Sequence, residues 1–121
     1  ILGEKSIGTV LLAGETFNRP GKWSSFPPHK HDTNSRNESQ LEEIYCFKIN
    51  PQDRYGVLCT YTDKMQNGQE KAIIVRNNDS IVIDRGFHPV CALPDTELYY
   101  FWVLAGKKRK LRWVVDKRFS G

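Results

Sequence analysis

Cysteine is scarce in this chain: Cys46, Cys59 and Cys91 are the three in 121 residues. The number is odd, the spacings are wide and there is no CxxC pair, which excludes a disulfide framework and a structural zinc knuckle. All three lie in apolar runs, where a free thiol behaves as a small buried hydrophobe. A reducing, cytoplasmic setting is therefore expected. Long apolar runs are also missing. None approaches the roughly 20 residues that cross a bilayer, and neither a secretory leader nor a membrane partner is expected. The first residue is Ile1 rather than Met, so a piece trimmed from a longer protein is expected. Helical periodicity, internal repeats and low-complexity tracts are absent too.

What is present fits one ordinary domain with a real core. Hydrophobic residues at 39% and charged residues at 26% are the balance of a globular protein. The net charge of +4 comes largely from Lys107, Lys108, Arg109, Lys110 and Arg112. With Trp113 close by, this cluster has the residues of a nucleic-acid patch. An isolated run of this kind is more often a solvated strand edge or loop, so no nucleic-acid partner is expected.

The patterning is β throughout. Ile7 to Leu12 reads as a strand closed by a turn at Ala13-Gly14. Leu41, Glu43, Tyr45, Phe47 and Ile49 share one face of a second strand. Tyr55 to Tyr61 is β-branched and aromatic, and Met65 to Gln69 holds the Asn-Gly hairpin signal. Ala72 to Arg76 and Ser80 to Ile83 flank a polar turn at Asn77-Asn78-Asp79. Pro89 to Leu93, Leu98 to Leu104 and Lys110 to Val115 complete a series typical of a sandwich, jelly roll or closed barrel. Asp32 to Gln40 is wholly polar and reads as a mobile loop. Exposed strand edges and an apolar barrel surface at Phe101 and Trp102 favour a homo-oligomer.

The three histidines carry the chemistry. His29 and His31 are two apart, so in an extended segment they lean from one face while Lys30 points the other way. A carboxylate from the next strand, Glu43 or its neighbour Glu42 according to register, needs a cation if it faces an apolar interior. His88 opens a later strand. Three imidazoles and a carboxylate suit a zinc, manganese, iron, nickel or copper ion and leave positions for water or substrate. Taken singly, each of these residues also has a bland role in core or surface.

Longer runs carry a resemblance. Gly21 to Asp32 (GKWSSFPPHKHD), Leu41 to Tyr45 (LEEIY) and Asp84 to Val90 (DRGFHPV) resemble the 5-deoxy-glucuronate isomerase family of inositol catabolism. Gly14 to Asn18, Leu98 to Tyr100 and Ala105 to Lys110 extend the likeness over nearly the whole chain. The family is related to 5-keto-4-deoxyuronate isomerase. The resemblance implies a cupin-type double-stranded β-helix (jelly-roll) barrel, one cupin domain over residues 1–121. It also implies that this is the C-terminal half of a bicupin whose N-terminal cupin half is missing. Glu43 is selected over Glu42, and the implied metal ligands are His29, His31, Glu43 and His88. The expected ion is divalent: zinc first, with manganese, iron or nickel as alternatives. Two turn positions depart from the pattern, Asp84 and Asn78-Asp79. The gap between His31 and Glu43 is longer than in general cupins.

The implied reaction is aldose–ketose isomerisation of a deoxyuronic acid, 5-deoxy-glucuronate to 5-dehydro-2-deoxy-gluconate, with a small-molecule sugar acid as partner. An enediol route needs a base, for which Glu43, Tyr45, Tyr61 and a metal-bound hydroxide are the candidates. Lys30, Arg54 and Arg85 are candidates for holding the substrate carboxylate. Competing readings on the same barrel are 5-keto-4-deoxyuronate isomerase, a metal-dependent dioxygenase and a non-catalytic sugar-binding cupin.

Overall fold

Alternation along Glu42–Asn50 shows how the chain builds its core. Glu43, Tyr45, Phe47 and Ile49 are at most 5% exposed, whereas Glu42, Ile44, Lys48 and Asn50 face out. This is the period of two expected of a strand with one buried face. Each large apolar side chain so buried contributes roughly 1.5–3 kcal/mol. The computed structural model describes residues 10–63, 67–108 and 110–119. Among them are ten strands and no helix. They are β1 (Leu11–Asn18), β2 (Trp23–Ser24), β3 (His29–Lys30), β4 (Glu42–Asn50), β5 (Tyr55–Tyr61), β6 (Glu70–Arg76), β7 (Ser80–Ile83), β8 (Val90–Ala92), β9 (Glu97–Ala105) and β10 (Val114–Val115).

Two four-stranded antiparallel sheets, ordered β1-β9-β4-β7 and β2-β8-β5-β6, form the walls of the jelly-roll barrel. A small ribbon pairs β10 with β3. Core side chains come from both walls: Tyr45, Phe47 and Tyr100 from one, Leu58, Val75 and Val90 from the other. A second cluster of Leu12, Leu41 and Leu104 closes one end.

Several expectations are corrected here. The turn at Ala13-Gly14 is instead the middle of β1. Gly14 stands opposite Trp102, whose indole fills the space a side chain there would need. A glycine within a strand commonly marks such a close approach. Trp102 itself turns inward against both core clusters, not onto the barrel surface. The Lys110 to Val115 strand shrinks to Val114–Val115. The cysteines are free, as expected, but half-buried.

Other expectations hold in part or lie elsewhere. Ile7 to Thr9, Met65, Gln66 and Arg109 fall outside the described residues. Asn67 and Gly68 both have positive φ, 76° and 55°, the conformation that an Asn-Gly hairpin turn uses. The Asn77–Asp79 turn closes β6 onto β7, with Asp79 N–H donating to Arg76 O and Arg76 N–H to Asp79 Oδ2.

Candidate metal centre

The site gathers at the end of the barrel where β3 and β4 begin. β3 sets His29 and Lys30 on opposite faces and is held by β10, with Val115 opposite His29 and Val114 opposite Lys30. Glu43, near the start of β4, lies between Leu104 of β9 and Ile83 of β7. His88 sits in the turn before β8, where Phe87 exchanges backbone hydrogen bonds with Tyr61. The three imidazoles converge: each offers a nitrogen, and these lie within 4.8 Å of one another. Ring centroids are 5.0 Å apart for His29–His88 and for His31–His88, and 6.1 Å for His29–His31.

The far sides of two rings are fixed by backbone. Nδ1 of His31 bonds Leu41 O at 3.1 Å, and Nδ1 of His88 bonds Gly86 O at 3.0 Å. A carbonyl can only accept, so each Nδ1 carries the proton in the neutral ring and Nε2 presents a lone pair. His31 Nε2 lies 3.0 Å from Glu43 Oε2. His88 Nε2 is 3.2 Å from the same oxygen, yet it is the one buried side-chain polar atom among the described residues that makes no hydrogen bond. An orphaned buried nitrogen costs free energy, and a divalent cation taking its lone pair removes that cost. This donor set of imidazoles and a carboxylate fits a borderline ion.

Electrostatics set the charge of each group in the absence of an ion. Burial, with His88 and His31 adding to it, lowers His29 to about 4, so at neutral pH it is an uncharged donor. Burial is the largest influence on His31 and opposes its charge, but the hydrogen bond to Glu43, the Glu43 charge and the Leu41 carbonyl together raise it. Glu43 is pushed up by burial and brought below the usual carboxylate range by His31 and His88, so it is ionised. Burial, then the Glu43 charge, pushes the Tyr45 phenol well up, keeping it protonated.

A cavity of about 240 Å³ opens beside these groups, lined by Thr16, Ser25, His29, His31, Glu43, Tyr45, Tyr100, Trp102, Leu104, Leu111 and Trp113. Glu43 and Tyr45 are thus brought to it. Tyr61 is not: its hydroxyl donates to Asp116 Oδ2 at 2.7 Å, outside this lining. None of the three cations considered for a substrate carboxylate lines the cavity. Lys30 is buried in ion pairs with Asp32 and Glu38. Arg54 is exposed in the turn beyond Asn50, at the far end of β4 from Glu43, roughly 24 Å along the strand. Arg85 is exposed and borders a separate cleft with Tyr61 and Lys71.

Sequence reasoning missed a hydroxyl cluster on the cavity wall. Tyr100 Oη is 2.7 Å from Ser24 Oγ and 3.0 Å from Ser25 Oγ, and Ser25 Oγ is 3.1 Å from Tyr45 Oη. Ser25 holds φ +51°, a strained backbone for a residue with a Cβ. Its place inside the GKWSSFPPHKHD run was the available signal. Trp113, 5.5 Å from His29 between ring centroids, was also missed.

Comparison with known proteins gives the family. The KduI/IolB family model matches residues 1–120. The chain belongs to the KduI/IolB family. It is 39% identical over 129 aligned residues to a 5-deoxy-glucuronate isomerase of Geobacillus kaustophilus, and 40% to that of Geobacillus thermodenitrificans. Each match covers 99% of this chain and 46% of the relative, so the chain spans about half the length of these KduI/IolB proteins. The crystal structure of an IolB-like protein from Salmonella typhimurium superposes with a TM-score of 0.93 at 32% identity, covering 98% of this chain and 45% of that one. Oxalate oxidase superposes at TM-score 0.62 and 18% identity over 86% of this chain and 46% of its own, a likeness of fold alone.

Proposed function

We propose that this chain is the catalytic cupin half of a cytoplasmic, metal-dependent aldose–ketose isomerase that converts 5-deoxy-glucuronate to 5-dehydro-2-deoxy-gluconate in inositol catabolism. The observation that carries the reading is the convergence of three imidazoles, with an orphaned Nε2 on His88, beside a small hydroxyl-lined cavity that His29 and His31 border. The names of the two Geobacillus relatives suggest the substrate. His29, His31 and His88, with Glu43 beside them, would hold the ion, zinc by preference. Such an ion, when bound, supplies Lewis-acid polarisation of a sugar carbonyl and its neighbouring hydroxyl.

The remaining work falls to the chain. Isomerisation removes a proton from C2 of the sugar and returns one to C1. Glu43 is the only carboxylate in the cavity lining, and it is the lining group that is ionised as an oxygen base at neutral pH. Tyr45 and Tyr100, both shifted upward chiefly by burial, stay protonated and with Ser25 supply hydrogen bonds to substrate oxygens. The lining contains no lysine or arginine, so among its side chains the hydroxyls of Thr16, Ser25 and the two tyrosines are left to orient a sugar acid.

The test is turnover of 5-deoxy-glucuronate by the zinc-loaded full protein in D₂O, with 5-keto-4-deoxyuronate as a parallel substrate and an anaerobic arm. The expected result is oxygen-independent ketose formation with deuterium at C1. Turnover of 5-keto-4-deoxyuronate alone, or consumption of oxygen, overturns the assignment.

A further inference from the structure

The polar segment 32–40 lacks regular structure, yet it encloses a charged cluster. Lys30 is 8% and Glu38 5% exposed, and the Asp32 side chain 4%. Lys30 Nζ donates to Asp32 Oδ1 at 2.8 Å and to both Glu38 oxygens at 2.9 Å. Glu38 Oε2 also accepts the backbone N–H groups of Asp32 and Thr33. Burying three charges is expensive, and stabilising a solvent-facing loop does not require it.

The other oxygen of Asp32 points to what the cluster does. Asp32 Oδ2 accepts the Gly86 N–H at 2.7 Å. Gly86 has φ +86°, and a Cβ there would meet Tyr61 O at 2.5 Å, so this backbone is held from two sides. The carbonyl of the same residue receives the proton of His88 Nδ1. Asp32 also directly follows His31. It therefore ties the strand that carries His29 and His31 to the turn that carries His88.

We propose that Asp32, anchored by Lys30 and Glu38, is a positioning residue for the metal centre: by holding Gly86 it sets the ring orientation and tautomer of His88. Lys30, considered above as a substrate ligand, serves as the counter-charge of this clamp. The inference rests on the reading that the histidines hold a divalent ion, and it is independent of which sugar the site accepts.

The experiment measures zinc affinity by competition with a chromophoric chelator, and the His88 tautomer by ¹⁵N NMR of the metal-free full protein. The parent is compared with Asp32→Ala, Asp32→Ser and Asp32→Asn. Loss of a partner that orients a metal-bound histidine typically weakens affinity about 10–100-fold. That loss, with His88 shifting to a tautomer mixture, is expected for Ala and Ser. Asn keeps an oxygen acceptor for Gly86 N–H and should recover most of the affinity, which a purely structural role for the charge does not predict. Two folded variants lacking the acceptor guard against one failing to fold; if neither folds, Asp32→Asn decides by matching the parent or falling tenfold. Parent-like affinity and tautomer in Ala or Ser, or a tenfold loss in Asn, overturns the proposal. A parent that binds no zinc instead overturns the metal reading itself.

Discussion

At the scale of single residues, His31 and His88 give the sharpest expectations. Each presents Nε2 to a common space while its Nδ1 is tied to a backbone carbonyl. His31→Ala or His88→Ala should abolish zinc binding and isomerase activity while far-UV circular dichroism stays that of the parent. Retained stoichiometric zinc, measured after chelation and re-addition, would contradict the ligand assignment. Glu43→Gln separates two duties: an amide oxygen still serves as a neutral donor but is no base. A zinc-replete Glu43→Gln protein with activity reduced at least about 100-fold would assign proton transfer to Glu43. Loss of zinc with the activity would assign it to the ligand set. Alternation left Glu43 or Glu42 open and the family resemblance selected Glu43; in the structure Leu41, Tyr45, Phe47 and Ile49 share its inward face and Glu42 turns out. Glu38 was not legible, because its burial depends on a lysine eight positions away folding in beneath it.

At the scale of elements, β9 shows why side-chain direction is harder to read than strand existence. Both faces of Glu97–Ala105 are apolar: Leu98, Tyr100, Trp102 and Leu104 point inward, Tyr99, Phe101 and Val103 outward. No polar residue breaks the symmetry, so Trp102 was misread as surface. Gly14→Ala tests the corrected position. The added methyl collides with the Trp102 indole, and such overpacking costs about 1–3 kcal/mol. A lowered urea midpoint with altered Trp fluorescence is expected, and an unchanged midpoint would contradict it.

The C-terminal strap, β10 and the residues after it, was legible as a strand but not in its partner: pairing Val114 with Lys30 is non-local and leaves no periodic trace. Arg118 holds Asp116 down at about 2, with burial opposing and Tyr61 assisting, and Asp116 N–H donates to Pro28 O beside the site. A carboxylate lowered in the folded state stabilises above its unfolded value of about 3.9, and that contribution fades as pH falls toward 2. Arg118→Met should therefore raise the Asp116 value in an NMR titration and weaken the strap's contribution above pH 4. An unmoved titration would contradict the pairing.

At the scale of the whole molecule, two antiparallel walls frame the barrel, with the histidine cluster at one end. The outer face of the β1-β9-β4-β7 wall keeps Phe17, Ile44 and Val82 exposed. The chain spans 46% of the Geobacillus kaustophilus relative, so the proposed activity is best assayed on the full protein. The central claim, that His29, His31 and His88 with Glu43 form a divalent metal site, is open to one direct measurement: elemental analysis of the purified full protein beside its His31→Ala, His88→Ala double variant. About one equivalent of a divalent transition metal per chain is expected in the parent, as for a single three-histidine site, and essentially none in the variant. Equal metal content in the two proteins, or a parent that takes up no metal when offered zinc, would contradict it.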